Sequence, residues 1–231
     1  MKTKILLFTS ICFVIAVSCE KLEPIAPSSV EVLEGDIEGL NTAQRAQFLR
    51  GDEAFSDVFT SSKGLGPLFV TNSCISCHIG DGKGHPFTTL TRFGQTDSTG
   101  NKFLNMGGPQ LQHRALAGYQ PETVPNGATF SKFTPPAVTG LGFLQFVTDA
   151  DILAMADPND LDGDGISGIP NWIALKDFVT PDPIAISQNG KYIHRFGKKA
   201  AAYDLLDQTV NAYNQDMGIT SSFDPIDTYS G

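Results

Sequence analysis

At 231 residues the chain has room for one good-sized domain or two small ones. Hydrophobic residues make up 41% and charged residues 18%, a balance that excludes an intrinsically disordered chain. The net charge is −9 and Lys and Arg nowhere cluster into a basic footprint, which argues against a nucleic-acid partner. Glycine (23) and proline (14) are frequent enough to predict a fold rich in loops and turns.

The first 18 residues read as an export signal. Lys2 and Lys4 precede an apolar run, Ile5 to Val17, that is short for a membrane-spanning helix. The run ends in Ala16-Val17-Ser18-Cys19, which resembles a bacterial lipobox with Ala16 where Leu is usual. On this reading residues 1–18 are removed and Cys19 carries a lipid. The protein is then anchored to a membrane of the bacterial cell envelope, facing the periplasm or the exterior. An ordinary signal peptide cut nearby is the alternative. Residues 19–40 are rich in Pro, Ser and acid and read as a flexible tether. The folded domain is expected over 41–231.

Thr42 to about Phe55 has a helical pattern, with Asn41 or Thr42 as its cap. A Gly64-Leu-Gly-Pro67 loop follows and leads into Cys74-Ile75-Ser76-Cys77-His78. This is C-x-x-C-H, the attachment sequence of c-type haem. A one-turn helix brings both thiols to the two vinyl groups of one porphyrin and puts the next residue, a histidine, under the iron. A thioredoxin-like pair would need a βαβ setting, and none is evident. A zinc site would need more ligands, yet the other cysteines, Cys12 and Cys19, lie in or at the end of the signal. One covalent haem c on Cys74 and Cys77, with His78 as proximal iron ligand, is therefore expected. For the second axial position His85, His113, His194, Met106, Met155 and Met217 are all open. His113 is singled out because its loop is long enough to fold back, and a five-coordinate iron is the other outcome. Met155 reads as a core residue of a short helix.

Residues 79–140 show no long periodicity and are expected to be irregular loops around the haem. Asp149 to Ala156 reads as a short helix capped by Thr148, with Asp151 in its first turn. The acidic loop behind it sets Asp160, Asp162 and Asp164 at alternate positions before Gly165 and offers the carbonyl of Ile166. That spacing matches the first half of a calcium loop, while Asn171 stands where an EF-hand has its bidentate Glu. A structural calcium ion is expected. Lys199 to Met217, beginning as early as Lys198, reads as the longest helix. Ala202, Leu205, Leu206, Val210 and Tyr213 lie on its apolar face, and Gly218 is its C-cap.

Four stretches together resemble the di-haem oxidoreductase family: residues 64–87 (GLGPLFVTNSCISCHIGDGKGHPF), 107–122 (GGPQLQHRALAGYQPE), 140–171 (GLGFLQFVTDADILAMADPNDLDGDGISGIPN) and 195–221 (RFGKKAAAYDLLDQTVNAYNQDMGITS). Members are often labelled thiol oxidoreductases and are relatives of di-haem cytochrome c peroxidases and MauG. The resemblance spans about residues 40–222. It implies a mainly α, cytochrome c-like haem domain with extensions and long irregular loops. It also implies peroxidase-type redox chemistry, with a second haem domain or a redox protein as partner. The family continues into a second domain with its own C-x-x-C-H, so this sequence is expected to correspond to the N-terminal, one-haem half. The alternative function is a single-haem electron-transfer cytochrome c.

Overall fold

The computed structural model describes residues 35–94 and 101–226. The signal segment, Cys19 and most of the tether lie outside the described residues. The chain divides into a unit ending at Ile37 and a unit beginning at Glu38. Only the second is described below.

Helix α1 (Thr42–Ser56) opens with a capping box: the Asn41 side chain accepts from the Gln44 N–H and the Gln44 side chain accepts from the Asn41 N–H, both at 3.0 Å. After strand β1 (Leu68–Phe69) come the one-turn helices α2 (Cys74–Cys77) and α3 (Ile79–Gly82). Strand β2 (Leu90–Gly94), β3 (Arg114–Ala115) and β4 (Thr129–Phe133) follow, with β1 antiparallel to β3 and β2 antiparallel to β4 from Leu90↔Phe133 to Gly94↔Thr129. Helix α4 (Asp149–Ala154) carries the expected Thr148–Asp151 capping box. Strands β5 (Asn171–Ala174), β6 (Ser187–Gln188) and β7 (Lys191–His194) form an antiparallel sheet in the order β5-β7-β6. Helix α5 (Leu205–Met217) ends at Gly218, whose left-handed backbone (φ 62°) makes the C-cap read from the sequence.

A mainly α, cytochrome c-like fold is thus not what forms. Of the five α-helices among the described residues, three have six residues or fewer, and three small antiparallel sheets lie between them. The cause is visible at the start of α5. Lys-Lys-Ala-Ala-Ala has high helix propensity, but Lys199 and Ala200 take positive φ (64° and 48°). Ala202 instead pairs with buried Phe196 in a β-bridge, its N–H donating to the Phe196 carbonyl at 3.1 Å. Asp204 then caps the helix, accepting from the Asp207 N–H at 2.7 Å. Tertiary pairing overrides a propensity of a few tenths of a kcal/mol per residue. Residues 79–140 likewise contain the five-residue β2–β4 ladder rather than loops alone.

The core is built from Leu65, Leu68, Val70, Phe93, Phe103, Ile193, Phe196, Tyr203, Val210 and Met217. Met155, expected in the core, is 72% exposed at the end of α4. The end of α5 docks on the segment that precedes the cysteine pair. Gly66 donates to the Met217 carbonyl (3.0 Å), and Val70 and Thr71 donate to that of Asp216 (2.7 and 3.1 Å). Contact is so close that a Cβ on Gly66 would lie 2.3 Å from the Gly218 oxygen. Among the described residues no helix is long and apolar enough to cross a membrane.

Candidate functional site

Ser73 is fully buried and caps α2, its hydroxyl accepting from the Ser76 N–H at 3.3 Å. The single turn places Cys74 and Cys77 on one side, both half-buried and both free thiols. Burial pushes both thiols above the ordinary cysteine range, and the nearby negative charge of Asp216 adds to this. A reactive dithiol needs its attacking sulfur shifted the other way. The site therefore lacks the electrostatics of a thioredoxin-like pair. Among the described residues, no third metal-ligating side chain joins the two sulfurs.

His78 follows directly and is half-buried, its ring 6.1 Å from that of Phe55 on α1. Its Nδ1 lies 2.9 Å from the carbonyl oxygen of Pro136. Only a protonated Nδ1 can donate to a carbonyl, so Nε2 carries the lone pair. Burial also holds the imidazole below its usual range, partly offset by that hydrogen bond. A neutral imidazole with one nitrogen anchored to the backbone is the arrangement a metal-ligating histidine requires. The carbonyl arrives because residues 135–138 lie tightly on the chain just after α3. Val138 donates to the Gly82 carbonyl at 2.8 Å, and a Cβ on Gly84 (φ 76°) would sit 2.4 Å from the Pro135 oxygen.

Cys74, Cys77 and His78 open onto a cavity of about 290 Å³. Phe55, Val138, Leu141, Leu205 and Met217 give it apolar walls, and Thr209, Ala212 and Tyr213 bring a face of α5 to it. Two thiols, a neutral imidazole and an apolar cleft suit a haem: sulfurs for thioether bonds, nitrogen for iron, and walls for the macrocycle. Of the six side chains open as a second axial ligand, Met217 alone lines this cavity and is 2% exposed. His113 and His85 are exposed, and His85 caps a turn by accepting from the Phe87 N–H. Met106 and Met155 are exposed as well. His194 is buried against Tyr203, with Nδ1 3.1 Å from the Tyr192 carbonyl.

In the acidic loop the structure brings together Asp157, Asp160 and Asp162, with one carboxylate oxygen of each within 4.8 Å of the others. Asp164 is not in that group; its Oδ1 accepts from the Ile166 N–H at 2.8 Å. Ile166 itself is 68% exposed. Asp157 was missed by the calcium-loop spacing because it stands three residues before position 1. The Leu161 N–H holds its carboxyl below the usual range, and its Oδ1 is buried without a hydrogen-bond partner.

A cleft that joins a C-x-x-C-H turn to the last helix is what fold and motif define. Residues 128–231 match the family described as "Di-haem oxidoreductase, putative peroxidase", which bears out the resemblance seen in the sequence over that stretch. The matched stretch supplies Val138, Leu141 and the α5 wall of the cavity, together with the acidic loop; Cys74 to His78 lie before it. No curated protein and no solved structure matches the chain.

Proposed function

We propose that this is an exported c-type haem redox protein of the di-haem oxidoreductase type, with one haem attached at Cys74 and Cys77 and His78 as proximal ligand. The observation that carries the proposal is the His78–Pro136 hydrogen bond beside two unpaired, unactivated thiols on one apolar cavity. When bound, haem supplies one-electron exchange and, where its sixth position is open, a place for peroxide. The chain supplies the rest: Pro136 fixes the His78 tautomer, Phe55 backs the ring, and α5 forms one wall of the cleft.

Met217 favours the second reading, an electron-transfer cytochrome whose distal side is closed. His113 is exposed and absent from the cavity lining, so Met217 is the side chain to test. Met217→Leu nearly conserves volume, so it should cost less than about 1.5 kcal/mol while removing the sulfur. If Met217 ligates, the ferric spectrum of the variant changes from low-spin to high-spin and begins to respond to peroxide. A wild-type spectrum that is already high-spin and shifts on peroxide addition favours the peroxidase-like reading. A low-spin spectrum, unchanged by peroxide in both proteins, removes Met217 and the peroxidase-like reading together.

The convergence of Asp157, Asp160 and Asp162 supports a calcium ion that locks the loop after α4. Chelation should then lower the melting temperature, by roughly 2–4 °C for each kcal/mol that the ion contributes. Asp157→Asn and Asp162→Asn should each abolish that response. Equal melting with and without chelator, in protein containing no metal, would leave an acidic turn.

The basic start, apolar run and Cys19 support export and a lipid anchor in the bacterial envelope, with a redox protein or a second haem domain as partner. Wild-type protein should sediment with membranes and Cys19→Ser should not. Unlipidated wild-type protein free in the periplasm would contradict the anchor.

A further inference from the structure

A second cavity, of about 280 Å³, adjoins the first. Gln208, Ala212 and Asp216, one stripe of α5, line both, so the two cavities meet along that stripe. Pro136, whose carbonyl holds His78, also lines the second cavity. The two differ in chemistry. The first has an apolar wall and the thiols. The second is lined by three cations, Arg92, Lys198 and Lys199, against one carboxyl, Asp216.

Arg92 and Lys198 each have a side-chain contact, and Lys199 has its backbone fixed; both lysines are exposed. Arg92 is half-buried on β2, with Nη2 3.4 Å from the Gln215 side-chain oxygen. Lys198 lies over the Phe133 ring, its Nζ 5.7 Å from the centroid. Lys199 and Ala200 are kept in the left-handed region by Asn171, whose side-chain amide donates to both carbonyls at 3.1 and 2.8 Å. Non-glycine residues adopt that backbone at a cost of about 1–3 kcal/mol each, and such strain concentrates where a loop is aimed at a ligand.

Resting on the haem reading above, we propose that Arg92 and Lys198, with Lys199, form the seat of the haem's two propionate carboxylates. Haem is amphiphilic: an apolar macrocycle with two anionic groups on one edge. The paired cavities reproduce that division, apolar beside the thiols and cationic across the shared Gln208–Ala212–Asp216 stripe. The cationic side exceeds the acidic side by two charges, which matches two carboxylates. Arginine suits the role because its planar guanidinium can hold a carboxylate through two parallel hydrogen bonds.

The experiment uses purified holo-protein bearing covalent haem: wild type, Arg92→Gln, Lys198→Gln, the charge-keeping Arg92→Lys, and Lys191→Gln as an exposed cation outside both cavities. The propionate bending bands in the resonance Raman spectrum and the midpoint potential are read at one pH and ionic strength. Arg92→Gln and Lys198→Gln should shift the bands and lower the potential, because a less compensated carboxylate stabilises ferric over ferrous iron. Arg92→Lys should lower the potential less than Arg92→Gln, and Lys191→Gln should leave bands and potential as in wild type. Haem-bearing variants whose bands and potential equal those of wild type would overturn the propionate seat alone. A wild-type chain that takes up no haem in a host competent for haem attachment would overturn the haem reading itself.

Discussion

Replacing Cys74 and Cys77 together by Ala is expected to give a protein that gives up all its haem to acidified organic solvent, whereas wild type keeps its haem after denaturation. Each single replacement should leave one thioether, and with it a visible-band position shifted by the one unreacted vinyl group. The physical basis is the α2 turn. Capped by buried Ser73, it fixes both sulfurs on one side of the cavity, so neither can be replaced by a neighbour. His78→Ala should keep the thioethers yet lose the proximal ligand, visible as a changed ferric spectrum at unchanged mass gain. Gel staining for covalent haem, beside absorption spectra, separates the two effects. Covalent haem surviving in the double cysteine variant would remove these residues from the attachment site.

The largest loss of stability is expected from Arg195→Met. Arg195 pairs with Asp149, whose side chain is only 4% exposed, and also donates to the Val147 carbonyl. Asp149 in turn accepts from the Ile186 N–H at 2.7 Å, tying α4 to the segment before β6. Removing the guanidinium leaves a buried carboxylate with one backbone donor, a change that costs about 3–5 kcal/mol. Removing both charges, Arg195→Met with Asp149→Leu, should recover much of that loss, since the penalty lies in the unpaired charge. Denaturant unfolding of the two variants checks this. A single variant within about 0.5 kcal/mol of wild type would show that the pair contributes nothing.

Local chemistry was legible in the sequence where it depends on neighbours three or four residues away. Asn41, one of the two caps read for α1, Thr148 with Asp151 in the first turn, and Gly218 at the end of α5 are all end signals made by adjacent backbone, and all three cap their helices. The one-turn helix at Cys74–Cys77 belongs with them. What was not legible depends on distant partners. The start of α5 is set by Phe196 pairing with Ala202, and no helix propensity reports that. The Pro136 carbonyl stands 58 residues from His78, and the spacing of C-x-x-C-H says nothing about it. Met217 is one of six open axial candidates in the sequence, and only its docking on Gly66, a distant contact, brings it to the cavity. The β6–β7 hairpin did leave a signal. Asn189-Gly190 takes positive φ at both positions (51° and 72°), as a tight hairpin turn favours, between strands that pair Ser187 with Tyr192.

The central claim is that Cys74, Cys77 and His78 hold one covalent haem, and intact mass measured together with the spectrum of the denatured, alkaline pyridine adduct tests it most directly. Protein expressed from the full sequence in a bacterium with a working haem-attachment system is denatured, freed of loosely bound pigment and measured. The account predicts a mass gain of one haem over the processed chain and the reduced pyridine spectrum of a haem with both vinyl groups converted to thioethers. A colourless chain at its apoprotein mass, or haem that washes away on denaturation, would contradict it.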